Sequence, residues 1–138
     1  MSEDNLENDI QTISKHLDYL EKIKNTGKKQ FLENPEKIKA VKYSLKGVMD
    51  GCLTITKQTL MSGKITTVGS YIDMFDKLKE KNVVDDDLSK KIIEVIRLRT
   101  KFNPLEGEVT DDEVWRILDD YLAHIKTFVE NIEEFNNQ

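Results

Sequence analysis

Near the C-terminal end the apolar residues fall at Val114, Leu118, Tyr121, Ile125, Phe128, Ile132 and Phe135, in unbroken steps of four and three. That spacing draws one stripe on an α-helix; a strand would repeat every two residues. A second line, Trp115, Leu122 and Val129, returns with a period of seven. The segment opens with Thr110-Asp111-Asp112-Glu113, the pattern of a capping box. A helix of about 25 residues spans about 37 Å. Such a helix buries its stripe only against other long helices, so it sets the scale of the whole fold.

The same rule read backwards along the chain yields the partners. Leu6, Ile10, Ile13, Leu17 and Leu20 form one narrow stripe on a helix from about Asn5 to Asn25, with Gly27 just past its end. Asn34 as cap and Pro35 at the first helical position open a long helix that stops at Ser62-Gly63. It carries the stripe Ile38, Val41, Leu45, Val48, Cys52 and Ile55, and beside it Met49, Leu53 and Leu60. Two stripes mean burial on two sides, so this helix is the centre of the fold or a dimer surface. Ser70 caps a short helix from Tyr71 to about Lys81, bearing Ile72, Phe75 and Leu78. Asp85 to Asp87 supply acids to the start of a helix that carries Leu88, Ile92, Val95, Ile96 and Phe102. It must end near Phe102, because the residue before Pro104 is pushed out of helical geometry. No strand pattern and no internal repeat is present. The expectation is a single all-α domain over residues 1–138, an antiparallel four-helix bundle with one extra short helix.

Composition agrees and excludes several functions. Two prolines and six glycines leave little punctuation for many short elements. With 34% charged and 38% hydrophobic residues the chain is expected to be soluble and globular. A net charge of -5 offers no general attraction to DNA or to anionic membranes. No apolar run approaches the ~20 residues of a membrane span. The acidic start Met1-Ser2-Glu3-Asp4-Asn5 is no signal peptide. One cysteine, Cys52, allows no internal disulfide, and a cytoplasmic location is expected.

Chemistry concentrates at the junction before the last helix, Ile96-Arg97-Leu98-Arg99-Thr100-Lys101-Phe102-Asn103-Pro104-Leu105-Glu106. Arg97 and Arg99 sit one residue apart at an apolar helix end. Either they answer the helix dipole and its open carbonyls, or Arg99 enters a cleft and binds phosphate or carboxylate through its planar fork. Arg97, Lys101 and Asn103 would add donors to such an anion site. His16 and His124 lie far from the junction and read as surface or boundary residues. Lys37, Lys39, Lys42 and Lys46, flanked by Glu36 and Asp50, read as a solvated helix edge. Asp85-Asp86-Asp87 lacks the glycine and distal glutamate of a calcium loop. His and Cys are too few for zinc, and phosphate loops and nucleophile motifs are absent, so neither metal nor cofactor is expected.

From Tyr43 to Trp115 the chain resembles the HepT-like family, the toxin half of HepT/MNT toxin–antitoxin pairs. The resemblance rests on Tyr43-Ser44-Leu45, Asp50-Gly51-Cys52-Leu53, Ser70-Tyr71-Ile72-Asp73-Met74-Phe75, Leu78 through Val83-Val84, the Arg99 junction and Asp111 to Leu118. It implies a helical homodimeric ribonuclease toxin. Its partner would be a minimal nucleotidyltransferase antitoxin that silences the toxin by adding AMP to a motif tyrosine. The family junction carries Arg-Asn, then a His, then a Tyr. Here Arg99 matches the Arg, while Thr100, Pro104 and Glu106 replace the Asn, His and Tyr. Proline cannot shuttle a proton as histidine does, and a carboxylate offers no phenolic hydroxyl. The resemblance therefore points to a nucleotidyltransferase partner, or a nucleotide- or RNA-binding protein, that has lost ribonuclease activity. Two alternatives stand beside it: an active nuclease with displaced groups such as Arg99, Asn103 and Glu106, or an unrelated helical adaptor.

Overall fold

The computed structural model describes residues 2–63, 69–102 and 109–138, the side chains of 2–4 excepted. Six α-helices follow in order: α1 Ser2–Thr26, α2 Lys28–Leu32, α3 Pro35–Ser62, α4 Tyr71–Glu80, α5 Asp86–Leu98 and α6 Asp111–Asn136. A 3-10 turn, Arg99–Phe102, continues α5. The four long helices form the antiparallel bundle, and no strand occurs among the described residues.

Helix ends follow local chemistry. Asn34 Oδ1 accepts from the Lys37 amide at 3.1 Å, with Pro35 at the first position. Asp85 Oδ1 accepts from the Leu88 amide at 2.8 Å. Thr110 and Glu113 close a full capping box on α6. Ser70 stands at the N-cap of α4, but its side chain makes no capping bond, which corrects the expectation from sequence. The helix expected to reach Phe102 tightens into the 3-10 turn after Leu98. The short helix α2 was not expected; it follows Gly27, whose φ of 95° reverses the chain after α1.

Pairings across the bundle fix its directions. Asp9 meets Gln58, Ile13 lies over Gly51, and His16 meets Ser44, so α1 runs against α3. Val83 meets Asn131, Glu94 meets Tyr121 and Lys101 meets Glu113, so α5 runs against α6. Helix α3 touches every other element, as its double stripe requires. Its stripes close inside the chain: Met49, Leu60 and the whole first stripe are buried. Trp115 is half-buried and packs on Phe31 of α2, ring centres 5.5 Å apart. Most of the apolar surplus that suggested a second copy is therefore covered within one chain, with Leu53 and Trp115 left partly buried.

Cys52 lies wholly inside this core, and burial pushes its thiol up to about 12. The thiolate is the reactive form, so Cys52 should ignore a disulfide reagent in the native state at neutral pH. One thiol per chain should react once denaturant unfolds the protein. Prompt labelling of the native form would show that α3 opens locally.

Candidate functional site

The end of α5 delivers Arg99 to the open side of α3. The guanidinium Nη1 lies 3.8 Å from Asp50 Oδ1, and the Arg99 side chain is 34% exposed. Asp50 also receives Lys46 Nζ at 3.6 Å, one helical turn earlier on α3. Two cations thus share one half-exposed carboxylate. The pair is long and part-exposed, so it orients Arg99 only weakly and leaves the guanidinium partly open to solvent.

The other anticipated donors do not converge on it. Arg97 Nε donates to the Tyr71 hydroxyl at 3.3 Å, on the α4 side. Lys101 Nζ reaches Glu113 Oε2 at 3.2 Å, on the α6 side. The Lys101 contact and the Thr110 amide hold the Glu113 carboxyl below its ordinary range. Thr100 spends its hydroxyl on the Arg97 carbonyl at 3.3 Å. Of the donors expected beside Arg99, Arg97 and Lys101 are thus employed in holding the helix end. Asn103, Pro104 and Glu106 lie outside the described residues.

A cluster of four residues on α1 and α3, one to two turns before Asp50 on α3, was not anticipated. His16 comes back from α1 onto α3: its Nδ1 lies 3.2 Å from Ser44 Oγ. Its ring meets Tyr43 edge-on, centres 6.3 Å apart at 70°. Gly47 makes room, since a Cβ there would sit 3.4 Å from His16 Nε2. Tyr43 itself is 77% exposed, the most open large hydrophobic side chain among the described residues. The sequence held one usable signal for it. Position 43 falls off both apolar stripes of α3, on the line of Lys39, Lys46 and Asp50.

Elsewhere the polar groups serve packing. The Tyr121 hydroxyl donates to Glu94 Oε2 at 2.8 Å. Partial burial and that carboxylate push its pKa up to about 12. A cleft of about 420 Å³ between the start of α1 and the ends of α3 and α6 is lined by Leu6, Glu7, Phe135 and Asn136, and holds no motif residue. Among the described residues no group of three His, Cys, Asp or Glu could hold a metal ion. No described helix is long and apolar enough to cross a membrane.

Comparison with known proteins agrees with this geometry. The family described as ribonuclease HepT-like matches residues 13–132. No curated protein matches the sequence. Among solved structures, the tri-AMPylated HEPN toxin of Shewanella oneidensis in complex with its MNT antitoxin is 20% identical. It covers 94% of this chain and 96% of its own, with a TM-score of 0.78. A toxin–antitoxin complex with AMP-PNP is 21% identical, covering 95% and 98%, with a TM-score of 0.79. At these identities the likeness establishes the fold.

Proposed function

The chain belongs to the HepT-like ribonuclease family, and we propose that it is a toxin-side partner of a small nucleotidyltransferase that has lost the family's RNA cleavage and keeps anion binding at Arg99. One observation carries this reading. A part-exposed Arg99 pairs with Asp50 against the middle of α3, in the segment where the family's motif falls, while Thr100, Pro104 and Glu106 stand at the motif's other positions. The arginine that binds phosphate is kept; the proton-transfer group and the AMP acceptor are replaced. The nucleotidyltransferase partner is supported by the fold's likeness to a HEPN toxin bound to an MNT antitoxin. A cytoplasmic setting fits the single buried cysteine. Pairing into a homodimer is implied by the family resemblance, and Leu53 and Trp115, only partly buried within one chain, leave it apolar surface. An unrelated helical adaptor is ruled out by the family match. Asn103 and Glu106, on which a nuclease would be built together with Arg99, lie outside the described residues.

The test is reconstitution. The protein is incubated with a nucleotidyltransferase encoded beside it, ATP and magnesium, then analysed by size exclusion and peptide mass spectrometry. A stable complex without an AMP adduct on residues 100–110 is expected. An adduct there would overturn the loss of the acceptor, and failure to associate would overturn the partnership. In parallel, millimolar AMP should bind wild type and lose affinity in Arg99→Ala.

A further inference from the structure

The chain has four tyrosines, and three of them are engaged in packing. The Tyr71 hydroxyl accepts from Arg97 Nε at 3.3 Å. The Tyr121 hydroxyl donates to Glu94 Oε2 at 2.8 Å. Tyr19 lies half-buried against the core. Tyr43 differs from all three. It stands 77% exposed on the outer side of α3, with its hydroxyl open to a reactant. The other hydroxyls nearby are spent: Ser44 is buried against the His16 ring, and Thr100 donates to the Arg97 carbonyl.

The surroundings of Tyr43 suit it to receive a phosphoryl group. An exposed tyrosine on a bare helix would sweep several rotamers. Here the His16 ring meets it edge-on, and Ser44 and Gly47 seat the imidazole. Lys39, four residues earlier, and Lys46, three residues later, are exposed on the same face of α3, one turn to either side. A phosphate at the Tyr43 hydroxyl would therefore have an ammonium group on each flank. The chain on both sides of residues 103–108 also meets α3 here. Arg99 pairs with Asp50 at 3.8 Å, and Asp111 with Lys42 at 3.6 Å. These two points are about 12 Å apart along the helix, and Tyr43 falls between them. A protein that docks over the flanks of the motif segment thus faces Tyr43.

We propose that Tyr43 is a nucleotidyl acceptor: its hydroxyl takes AMP from ATP on the partner nucleotidyltransferase, although Glu106 stands where the family carries its tyrosine. The inference rests on the partnership argued above and adds a modification site to it. Tyr43 Oη attacks the α-phosphorus of magnesium-bound ATP. An O–P bond forms, the anhydride bond between the α- and β-phosphates breaks, and pyrophosphate leaves. The phenolic proton passes to a base of the transferase or to water, and nothing is oxidised or reduced. The product is a phosphodiester anion set between Lys39 and Lys46. The two lysines and His16 act as positioning residues; the transferase brings the nucleotide and its magnesium.

The experiment incubates the full chain with the nucleotidyltransferase encoded beside it, magnesium and ATP, and follows the product by size exclusion and peptide mass spectrometry. Wild type, Tyr43→Phe, Tyr71→Phe and the double variant Lys39→Ala with Lys46→Ala are compared. Wild type should gain an adenylyl group on the peptide that holds Tyr43. Tyr43→Phe keeps the exposed ring and the fold, and should lose the label entirely. Tyr71→Phe should label as wild type does. The double lysine variant should label about 3- to 30-fold more slowly, the effect of two exposed ion pairs. A complex that forms without an adduct on Tyr43 overturns the acceptor and leaves the partnership standing. So does an adduct that survives Tyr43→Phe, or one confined to residues 100–110. Failure to associate together with absence of label overturns both readings. Label on Tyr43 without a stable complex would uphold the acceptor and remove only the lasting association.

Discussion

Phe128→Ala should lower the unfolding free energy by about 3–5 kcal/mol, the usual cost of emptying a fully packed aromatic site. Phe128 is completely buried on α6, and its ring packs tilted against Phe75 of α4, centres 5.7 Å apart. The pair joins the short helix to the main bundle, so the substitution removes transfer energy, leaves a cavity and breaks an aromatic contact together. A domain of this size has about 5–15 kcal/mol in all. Urea unfolding should therefore show a much lower midpoint with an unchanged slope. Ile72→Ala, at a side chain 41% exposed, is the control and should move the midpoint little. Equal effects of the two would mean that α4 is not packed as described. Gly51→Ala tests the α1–α3 contact in the opposite sense. A Cβ there would meet Ile13 at 2.6 and 2.7 Å, and Ile13 is itself buried and cannot swing aside. Overpacking of this kind costs about 1–3 kcal/mol.

The long helices were legible because their burial is periodic. Each stripe read from Leu6 to Leu20, Ile38 to Ile55 and Val114 to Ile132 lies in the core, apart from the half-buried Tyr121. Periodicity reports which face is covered, and it cannot report by what. So the double stripe of α3 was read as the centre of the fold or as room for a second copy; α3 is indeed central, touching every other element, while Leu53 of the second stripe stays partly buried. Helix α2 escaped because its five residues contribute one buried side chain, Phe31, too few to make a period. The surroundings of Arg99 were legible only in part. Arg99 was singled out from its sequence setting, but its partner Asp50 lies 49 positions earlier and joins it only through the packing of α5 on α3. Arg97 and Lys101 looked like helpers because they are neighbours in sequence. Arg97, still on α5, reaches Tyr71 instead, and Lys101, in the 3-10 turn, reaches Glu113. His16 was read as a boundary residue. A four-three stripe has boundary positions on both flanks, and nothing local says that one of them will meet Ser44 and Tyr43.

Purified protein should leave single-stranded RNA intact where a family member with the full motif would cut it. Cleavage by transesterification needs a group near the 2′-hydroxyl that accepts a proton, and one that returns a proton to the leaving oxygen. A positioned acid or base contributes about 10²–10⁴-fold in rate. Arg99 stays charged at any working pH, so it can stabilise a phosphorane and cannot exchange protons. Pro104 has no ionisable side-chain group, and Thr100 already donates its hydroxyl to the Arg97 carbonyl. On the proposed reading the deficit is in proton transfer, with charge stabilisation retained, and such a loss would be reversible in principle. The variant carrying Thr100→Asn, Pro104→His and Glu106→Tyr should gain at least about 100-fold in cleavage of a labelled single strand. Its rate should follow the titration of the new imidazole, and Arg99→Ala in that background should remove the gain. The same variant would regain a phenolic acceptor, so a partner nucleotidyltransferase with ATP should add AMP to residue 106 and silence it. Cleavage by the unaltered protein that disappears in Arg99→Ala would overturn the argument. The proton would then have to come from a group outside the motif, and His16, whose ring seats against α3 at Gly47 one turn from Asp50, would be the first to replace.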